Sequence, residues 1–339
     1  MKKKLIEKIL TARVYDVAIE TPLELAKSLS KRCENKVFLK REDLQPVFSF
    51  KLRGAFNCMF QLSDEQKAKG VVAASAGNHA QGVAIAGKKL GIKTTIVMPK
   101  ITPEIKVKGV QFYGGNAVLV GNTFDDAYAH AMQLAENEGM SFIHPFDNLD
   151  VIAGQGTIGM ELLRQHPDPI DIIFIAVGGG GLISGIASYI KYLSPSTKII
   201  GVEHEEAPSM YQAFKQNKLV LLESIGTFAD GAATRQAGKN AFEIAKDVVD
   251  EMILVSTDET CAAIKDVFED TRTMLEPAGA LATAGLKKYT AEHHIKGKQL
   301  ISIASGANIN FDRLRHVAER AELGEKREAL LAVTIPEKP

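Results

Sequence analysis

The sequence has no tryptophan and only three cysteines, and its 339 residues include no long uninterrupted apolar run. The cysteines, Cys33, Cys58 and Cys261, lie far apart without paired spacing, which argues against a disulfide framework or a cysteine zinc site. We therefore expect reduced thiols in a cytoplasmic protein. A membrane-spanning helix needs about 18 or more apolar residues in a row, and no stretch has them. The basic start, Met1–Lys4, is not followed by the apolar core of a signal peptide.

Neither sign of charge is in excess. The sequence has 41 Lys and Arg residues and 41 Asp and Glu residues, so its formal net charge is zero. Such a chain has no overall field that would attract nucleic acid or an acidic membrane surface, and we expect neither as a partner. Apolar residues make up 45% and charged residues 24%, as in an ordinary globular protein. The length suffices for two lobes.

Strand and helix patterns alternate along most of the chain. The first four short apolar runs are Val71–Ser75, Thr94–Met98, Ala117–Val120 and Ser141–His144. Four strands separated by helical patterns within about 75 residues predict a small parallel sheet. Later runs, apolar on both faces, are Ile172–Val177, Lys198–Glu203, Met252–Ser256 and Gln299–Ala304. Together they predict an α/β fold with two open, twisted, mostly parallel sheets flanked by helices.

The residues before the first parallel strand contain a different set of signals. Thr21-Pro22 predicts the start of a helix over Leu23–Leu29, because proline is favoured at the first helical position. Lys36–Lys40 predicts a short strand. Residues 44–50, with Pro46, then predict a loop that leads to Lys51.

Polar or glycine-rich clusters directly follow three of the predicted strands. They are Ser75–Gly82, Gly178–Gly181 and Ser305–Asn308. In open α/β sheets, ligands bind beyond the carboxyl ends of the strands, so these clusters predict one shared crevice. In the first cluster, the loop Ser75–His79 offers backbone N–H groups to a carboxylate, and Asn78 can bind a ring hydroxyl. The alternative interpretation is that Asn78 and His79 only cap a helix.

The four consecutive glycines Gly178–Gly181 carry the most information. They let the backbone approach a ligand closely, and the helix that follows presents free N–H groups to an anion. We interpret them as a phosphate-binding loop. They do not match a dinucleotide fingerprint or a P-loop. The alternative is a tight strand-to-helix turn, which needs only one or two glycines.

Lys51 lies in the segment Ser49–Ala55, between Phe50 and Leu52. Burial lowers the pKa of a lysine and frees a nucleophilic amine, which suits a Schiff base with an aldehyde cofactor. The alternative is a lysine whose stem covers apolar surface while its ammonium group reaches water. Ser305 is either a turn residue or a neutral partner that leaves a pyridine nitrogen unprotonated.

Four motifs in this order resemble those of the biosynthetic threonine dehydratases, or threonine deaminases. The motifs are Ser49–Ala55, Ser75–Gly82, Gly178–Leu182 and Glu276–Ala280. This family belongs to the fold type II pyridoxal-phosphate enzymes, with tryptophan synthase β and cysteine synthase. The resemblance runs from about residue 10 to the end. It implies pyridoxal 5'-phosphate as cofactor and L-threonine as substrate, with 2-oxobutanoate and ammonia as products of the first step of isoleucine biosynthesis.

The resemblance also implies a role for each motif residue. Lys51 is the Schiff-base lysine and the catalytic base, Phe50 packs against the cofactor ring, and Asn78 meets the ring hydroxyl. Residues Gly178, Gly179, Gly180 and Gly181, with Leu182, hold the phosphate, and Ser305 meets the pyridine nitrogen. The substrate carboxylate is expected at Ser75, Ala76, Gly77, Asn78 and His79, and Glu276 is expected near the cofactor.

Domains and assembly follow from the same resemblance. We expect a large cofactor-binding domain of residues 1–52 and 147–320, and a small α/β domain of residues 53–146. We expect residues 321–339 to be a linker and the first strand, Ala329–Ile335, of an absent regulatory domain, which would make the protein insensitive to isoleucine. The implied assembly is a homotetramer, a dimer of dimers.

Two kinds of rival function stay open at this stage, and a metal site is a separate question. Serine dehydratases, serine racemases and β-replacement synthases share the family, and side activity on L-serine is expected, but racemases carry a serine where this sequence has Ala76. Relatives with a divalent cation use acidic residues after Glu203; Ser209 stands at one such position here, so we expect no metal. A non-catalytic phosphate binder would explain the glycines but not Lys51.

Overall fold

A computed structural model describes residues 2–325, which form two mostly parallel sheets with helices packed around them. The strands are β1 Leu23–Leu25, β2 Lys36–Arg41, β3 Val71–Ala74, β4 Thr94–Met98, β5 Asn116–Leu119, β6 Ser141–Phe142, β7 Ile172–Ala176, β8 Lys198–His204, β9 Glu251–Val255 and β10 Gln299–Ala304. The helices up to β7 are α1 Lys2–Leu10, α2 Lys27–Cys33, α3 Lys51–Phe60, α4 Asp64–Lys69, α5 Asn78–Leu90, α6 Glu104–Phe112, α7 Phe124–Glu138 and α8 Leu149–Gln165. The later helices are α9 Gly181–Leu193, α10 Ser209–Gln216, α11 Lys239–Val248, α12 Thr257–Thr271, α13 Pro277–Glu292 and α14 Leu314–Gly324.

The larger sheet has six strands in the order β1-β2-β10-β7-β8-β9. All its neighbouring pairs are parallel except β1 and β2, which are antiparallel. Every residue of β7 is buried, because helices cover both faces of the sheet. One face packs on α1, α8, α9 and α11, and the other on α2, α12 and α13. This arrangement confirms the mostly parallel sheet that the apolar runs predicted.

The smaller sheet has four parallel strands in the order β5-β4-β3-β6. Its central strands are buried, and α5 and α7 pack on opposite faces. The four strands coincide with the four βα-spaced runs of the sequence. The carboxyl ends of these parallel strands lie on the side of the cleft described below. Asn78, which follows β3, lines that cleft.

The helix predicted over Leu23–Leu29 is wrong at its start, because helix α2 begins only at Lys27. Residues Leu23–Leu25 form β1, which pairs with β2 in the register Leu23 to Lys40 and Leu25 to Phe38. The hydroxyl of Thr21 donates to Glu42 at 2.6 Å instead of capping a helix. Pairing with a strand distant in sequence therefore overrides the local proline signal.

Two helices between Lys51 and β3 were not predicted. Helix α3 begins at Lys51 and buries residues 52–59 between α5 and α8. Helix α4 begins with a capping box, in which Ser63 and Gln66 bind each other's backbone N–H groups. Helix α3 matters most for function, because its first residue is Lys51.

Within residues 2–325, none of the helices is long and apolar enough to cross a membrane. The predicted strand Ala329–Ile335 lies outside the described residues. The division into domains stays a prediction, although the two sheets lie on either side of the predicted boundaries.

Candidate active site

A cleft lies where the carboxyl ends of strands from both sheets meet. Residues that follow β3, β7 and β10 line it together, so the predicted convergence of the three strand ends is present. Its lining consists of Phe50, Lys51, Asn78, Pro145, Phe146, Gln155, Ala176, Gly178, Gly179, Gly180, Gly181, Leu182, Gly231, Ala232, Thr234, Glu276, Ala278 and Ser305.

Lys51 is the first residue of α3 and lies in the wall of this cleft. Its Nζ donates a hydrogen bond to the carbonyl oxygen of Pro145 at 3.1 Å and lies 5.3 Å from the centre of the Phe50 ring. Removal of the amine from water lowers its pKa to about 8, while the Glu276 carboxylate acts in the opposite direction. About a tenth of the amine is therefore uncharged and nucleophilic at pH 7, a far larger share than in an ordinary lysine.

The glycine loop turns sharply between β7 and α9. Gly180 has φ of +94°, a value that side chains disfavour. A Cβ on Gly179 would lie 2.3 Å from the Phe146 ring, and one on Gly178 would lie 2.5 Å from the Ala232 carbonyl oxygen. Close packing therefore requires glycine here. The loop ends at the start of a 13-residue helix, whose first N–H groups and positive dipole end favour an anion.

Three polar side chains from distant parts of the chain form a connected network on one wall. The Asn78 amide donates to Glu276 Oε1 at 2.5 Å, and the Asn308 amide donates to Asn78 Oδ1 at 2.6 Å. Burial raises the pKa of Glu276 to about 7, although the hydrogen bond from Asn78 opposes this shift. The network fixes the orientation of the Asn78 amide toward the cleft.

Ser305 directly follows β10 and lies next to Phe50 in the fold. The Phe50 N–H donates to the Ser305 carbonyl at 3.3 Å. The hydroxyl of Ser305 is buried and makes a long hydrogen bond of 3.4 Å to the Ala278 carbonyl oxygen. A weakly engaged, neutral hydroxyl can still bind a ligand atom in the cleft.

The predicted carboxylate loop lies next to the cleft, and of its described residues only Asn78 is in the lining. Ser75, Ala76 and Gly77 are partly accessible just before α5. The His79 ring is buried and hydrogen-bonds the Ile143 carbonyl oxygen through Nε2 at 2.8 Å. Burial lowers the pKa of His79 to about 3, so its ring is neutral. Any ligand contact from His79 would use its backbone.

Several lining residues were not predicted. Pro145 and Phe146 come just after β6, so the rule that ligands bind beyond strand ends would have indicated them. Gly231, Ala232 and Thr234 belong to the long connection between α10 and α11, which has no comparable signal. Gln155 lies inside α8, where its amide oxygen accepts the Gly54 N–H at 3.2 Å.

Glu203, which the sequence placed near a family cation site, caps a helix. Its carboxylate accepts hydrogen bonds from the backbone N–H groups of Met210 at 2.9 Å and Tyr211 at 2.6 Å. Burial raises the pKa of Glu203 to about 8. Within residues 2–325, His, Cys, Asp and Glu side chains form no group of three or more suited to a metal.

The residues present fit a phosphorylated aldehyde with an aromatic ring. Lys51 supplies an accessible amine of lowered pKa, and the glycine loop with the start of α9 supplies an anion site. Asn78, Ser305 and Phe50 supply a fixed amide, a neutral hydroxyl and an aromatic surface between these two. Pyridoxal phosphate, which forms a Schiff base with a lysine and carries a phosphate group, fits this set of residues.

Comparison with known proteins agrees with this chemistry. The family model described as pyridoxal-phosphate dependent enzyme matches residues 14–306. A biosynthetic L-threonine dehydratase of Burkholderia multivorans is 54% identical over 335 residues, covering 98% of this chain but 66% of that protein. The chain thus spans slightly less than two thirds of the length of that relative.

Solved structures give the same result for the fold. The processed form of threonine deaminase isoform 2 from Solanum lycopersicum superposes with a TM-score of 0.94 at 49% identity, covering 95% of this chain and 88% of that one. Maize serine racemase superposes with a TM-score of 0.85 at 33% identity, covering 96% and 98%. The architecture is that of the fold type II enzymes, and the chain belongs to the family of pyridoxal-phosphate dependent enzymes.

Proposed function

We propose that this chain catalyses the deamination of L-threonine to 2-oxobutanoate and ammonia. The observation that carries the proposal is the Lys51 amine, of pKa about 8, in a cleft that also holds the glycine loop. The 54% identity to a biosynthetic L-threonine dehydratase supports threonine as the substrate. By the same likeness the reaction would be the first step of isoleucine biosynthesis.

The residues that would hold pyridoxal phosphate come from both sheets. They are Phe50, Lys51, Asn78, Gly178, Gly179, Gly180, Gly181, Leu182 and Ser305. When bound, the cofactor supplies an electron sink that makes the Cα–H bond of an amino acid breakable. The neutral Ser305 hydroxyl would leave the ring nitrogen unprotonated, which favours loss of a β-substituent over return of the proton.

Lys51 carries the proton chemistry in this proposal. Its uncharged Nζ takes the Cα proton of threonine, and the lowered pKa increases the share of the amine that is in this form. The Cα–H electron pair then forms the Cα–Cβ double bond while the Cβ–O bond breaks. The hydroxyl takes up the proton that Lys51 Nζ has gained and leaves as water. The released enamine tautomerises and takes up one water, which gives 2-oxobutanoate and ammonia.

In this proposal the loop Ser75–His79 binds the substrate carboxylate. Its consecutive backbone N–H groups precede α5, where the positive end of the helix favours an anion. The Asn78 side chain is already oriented by Glu276 and Asn308, so it needs no reorganisation when ligands bind. Ala76 has no proton to give to the opposite face of the substrate, which favours elimination over racemisation.

Serine dehydration or racemisation is the second candidate. The superposition on maize serine racemase favours it, and serine lacks only the methyl group of threonine. A single methyl group changes discrimination by about 1–3 kcal/mol, so we expect side activity on L-serine. Ala76 is the feature that weighs against racemisation.

The test is product analysis of the cofactor-loaded protein with L-threonine and L-serine in separate reactions. We expect 2-oxobutanoate and ammonia from threonine at the higher kcat/KM, pyruvate from serine, and no D-serine in a chiral assay. Formation of D-serine as the main product, or no keto acid from threonine, would contradict the proposal.

Assembly, location and domain division are further parts of the proposal. The family resemblance supports a cytoplasmic homotetramer that acts on a small molecule. It also supports a large domain of residues 1–52 and 147–320 and a small domain of residues 53–146. Sedimentation velocity of the purified chain tests the tetramer.

A further inference from the structure

The turn of residues 144–147 connects the small sheet to α8 and touches Lys51. It follows β6 and precedes α8. Its Pro145 carbonyl oxygen accepts the hydrogen bond from Lys51 Nζ at 3.1 Å, and Pro145 and Phe146 line the cleft. The direction in which this carbonyl points therefore sets where the amine rests.

The side chain of His144 holds the same peptide group from its other side. Nδ1 of the ring accepts the Phe146 N–H at 3.2 Å and the Asp147 N–H at 2.8 Å. The Phe146 N–H and the Pro145 carbonyl belong to one planar trans peptide, so they point in opposite directions. Fixing the N–H on His144 thereby aims the carbonyl at Lys51.

The imidazole must be neutral to act in this way, because Nδ1 uses its lone pair for both N–H groups. Burial lowers the pKa of His144, the nearby Lys51 acts in the same direction, and Asp147 opposes them. The ring packs edge-on to Phe146, with centroids 4.7 Å apart. A neutral ring in this position therefore agrees with its surroundings.

The far end of the turn is anchored independently. The Asp147 carboxylate accepts the N–H groups of Lys239 and Ala241, each at 3.0 Å, at the start of α11. Phe146 packs against the glycine loop so closely that a Cβ on Gly179 or Gly181 would collide with it. These contacts hold residues 146 and 147, while His144 controls the peptide that faces Lys51.

We propose that His144 is a positioning residue, which orients the Pro145 carbonyl through the shared peptide group and so places the Lys51 amine. The inference rests on the proposed role of Lys51 as the base. A donor bond from the peptide N–H to Nδ1 also polarises the carbonyl, which makes it a better acceptor for the amine. His144 itself contacts no reacting atom in this scheme.

Two substitutions distinguish the effect of the Nδ1 acceptor of His144 from the effect of its aromatic ring. His144→Phe keeps an aromatic ring against Phe146 but removes Nδ1. His144→Asn removes the ring but places an amide oxygen, an acceptor, near the position of Nδ1. We expect kcat for threonine to fall about tenfold to a hundredfold in the Phe variant, since misplacement of a reacting group has this effect, and to stay within about threefold in the Asn variant.

A second measurement does not depend on turnover. Acetic anhydride is applied to the whole 339-residue chain freed of cofactor, and mass spectrometry follows acetylation of Lys51 against pH. A carbonyl acceptor favours the ammonium form, so its loss should move the midpoint for Lys51 down by about one pH unit in His144→Phe. The midpoint in His144→Asn should match that of the unaltered protein.

An unaltered Lys51 midpoint in His144→Phe, or an Asn variant as impaired as the Phe variant, would overturn the inference. If the Phe variant does not fold, His144→Gln displaces the acceptor by one methylene and replaces it in both measurements. Failure of the proposed function is distinguishable, because then the unaltered protein itself would not turn over threonine, whereas the acetylation midpoints would still decide the role of His144.

Discussion

Two lysines only eleven positions apart, Lys40 and Lys51, lie in very different surroundings. Lys40 has no exposed side-chain surface, and its Nζ donates to Glu161 Oε2 at 2.5 Å, the Thr21 carbonyl at 2.6 Å and Gln165 Oε1 at 3.0 Å. Lys51 opens to the cleft, and its Nζ donates to the Pro145 carbonyl at 3.1 Å. Burial lowers the pKa of both amines, but a carboxylate touches only the first.

The difference shows that a buried lysine is reactive when it has no carboxylate partner to hold its proton. Lys40 has as many acceptors as it has N–H bonds, and one of them is a carboxylate, so its proton is held. Lys51 has no carboxylate within hydrogen-bond distance in the described structure, and the cleft leaves room for a ligand. The first lysine stabilises the fold, and the second is available for chemistry.

Arg53 links these two regions. It lies two residues after Lys51 on α3, and its guanidinium binds Glu42 through Nε at 2.8 Å and Glu161 through Nη1 at 2.6 Å. Both carboxylates and the guanidinium are completely buried. The cluster therefore fixes the first turn of α3, and with it Lys51, against α8 and the segment that directly follows β2.

The largest expected effect separates the two lysines by the same substitution. Lys51→Met should reduce ammonia release from threonine by about 10⁴-fold, because the base and cofactor anchor are lost, and should abolish the visible cofactor absorbance. Lys40→Met should instead lower the free energy of unfolding by about 3 kcal/mol, with kcat of the folded fraction almost unchanged. Turnover assays, absorbance spectra and urea unfolding of both variants measure this. Normal turnover in Lys51→Met would show that the amine is not the base.

The next effect concerns the cluster itself. Arg53→Met leaves Glu42 and Glu161 buried without their main partner, so we expect a loss of about 3–5 kcal/mol in the free energy of unfolding. The matched control is Arg164→Met on α8, where the ion pair with Glu20 is exposed and should contribute less than about 1 kcal/mol. Urea denaturation measures both. Equal losses in the two variants would contradict the structural role of the cluster.

Sequence patterns predicted the features that depend on local periodicity or on several motifs together. The buried strands β4 and β7 and the glycine loop were all visible, since apolar runs and consecutive glycines are local signals. The role of Lys51 was not visible in this way. Its neighbours Phe50 and Leu52 indicate burial, but Leu39, which precedes the structural Lys40, indicates burial just as well. Lys51 was distinguished only because the sequence also contains the three strand-end clusters and the family resemblance that they support.

The features that were missed depend on contacts between distant residues. Strand β1 exists because Leu23 and Leu25 pair with β2, and nothing in the local sequence indicates that pairing. The hydrogen bond between Asn78 and Glu276 joins residues 198 positions apart. The orientation of the Pro145 carbonyl depends on the His144 side chain. The fold, and not the local sequence, places that side chain near Lys51.

The smallest of these expected effects uses no substitution and compares the two amines directly. At pH 8 an amine of pKa about 8 is half uncharged, whereas an ordinary lysine of pKa about 10.4 is uncharged at well under 1%, so Lys51 should acetylate about 100-fold faster than an ordinary exposed lysine of equal access. The rate should rise with pH and level off above about pH 9, because deprotonation is then complete. Lys40, enclosed by three acceptors, should react only after urea unfolds the chain, even though its pKa is also lowered. Acetylation of Lys40 in the native protein at the rate of Lys51 would remove the distinction between a lysine that holds the fold and one that carries the reaction.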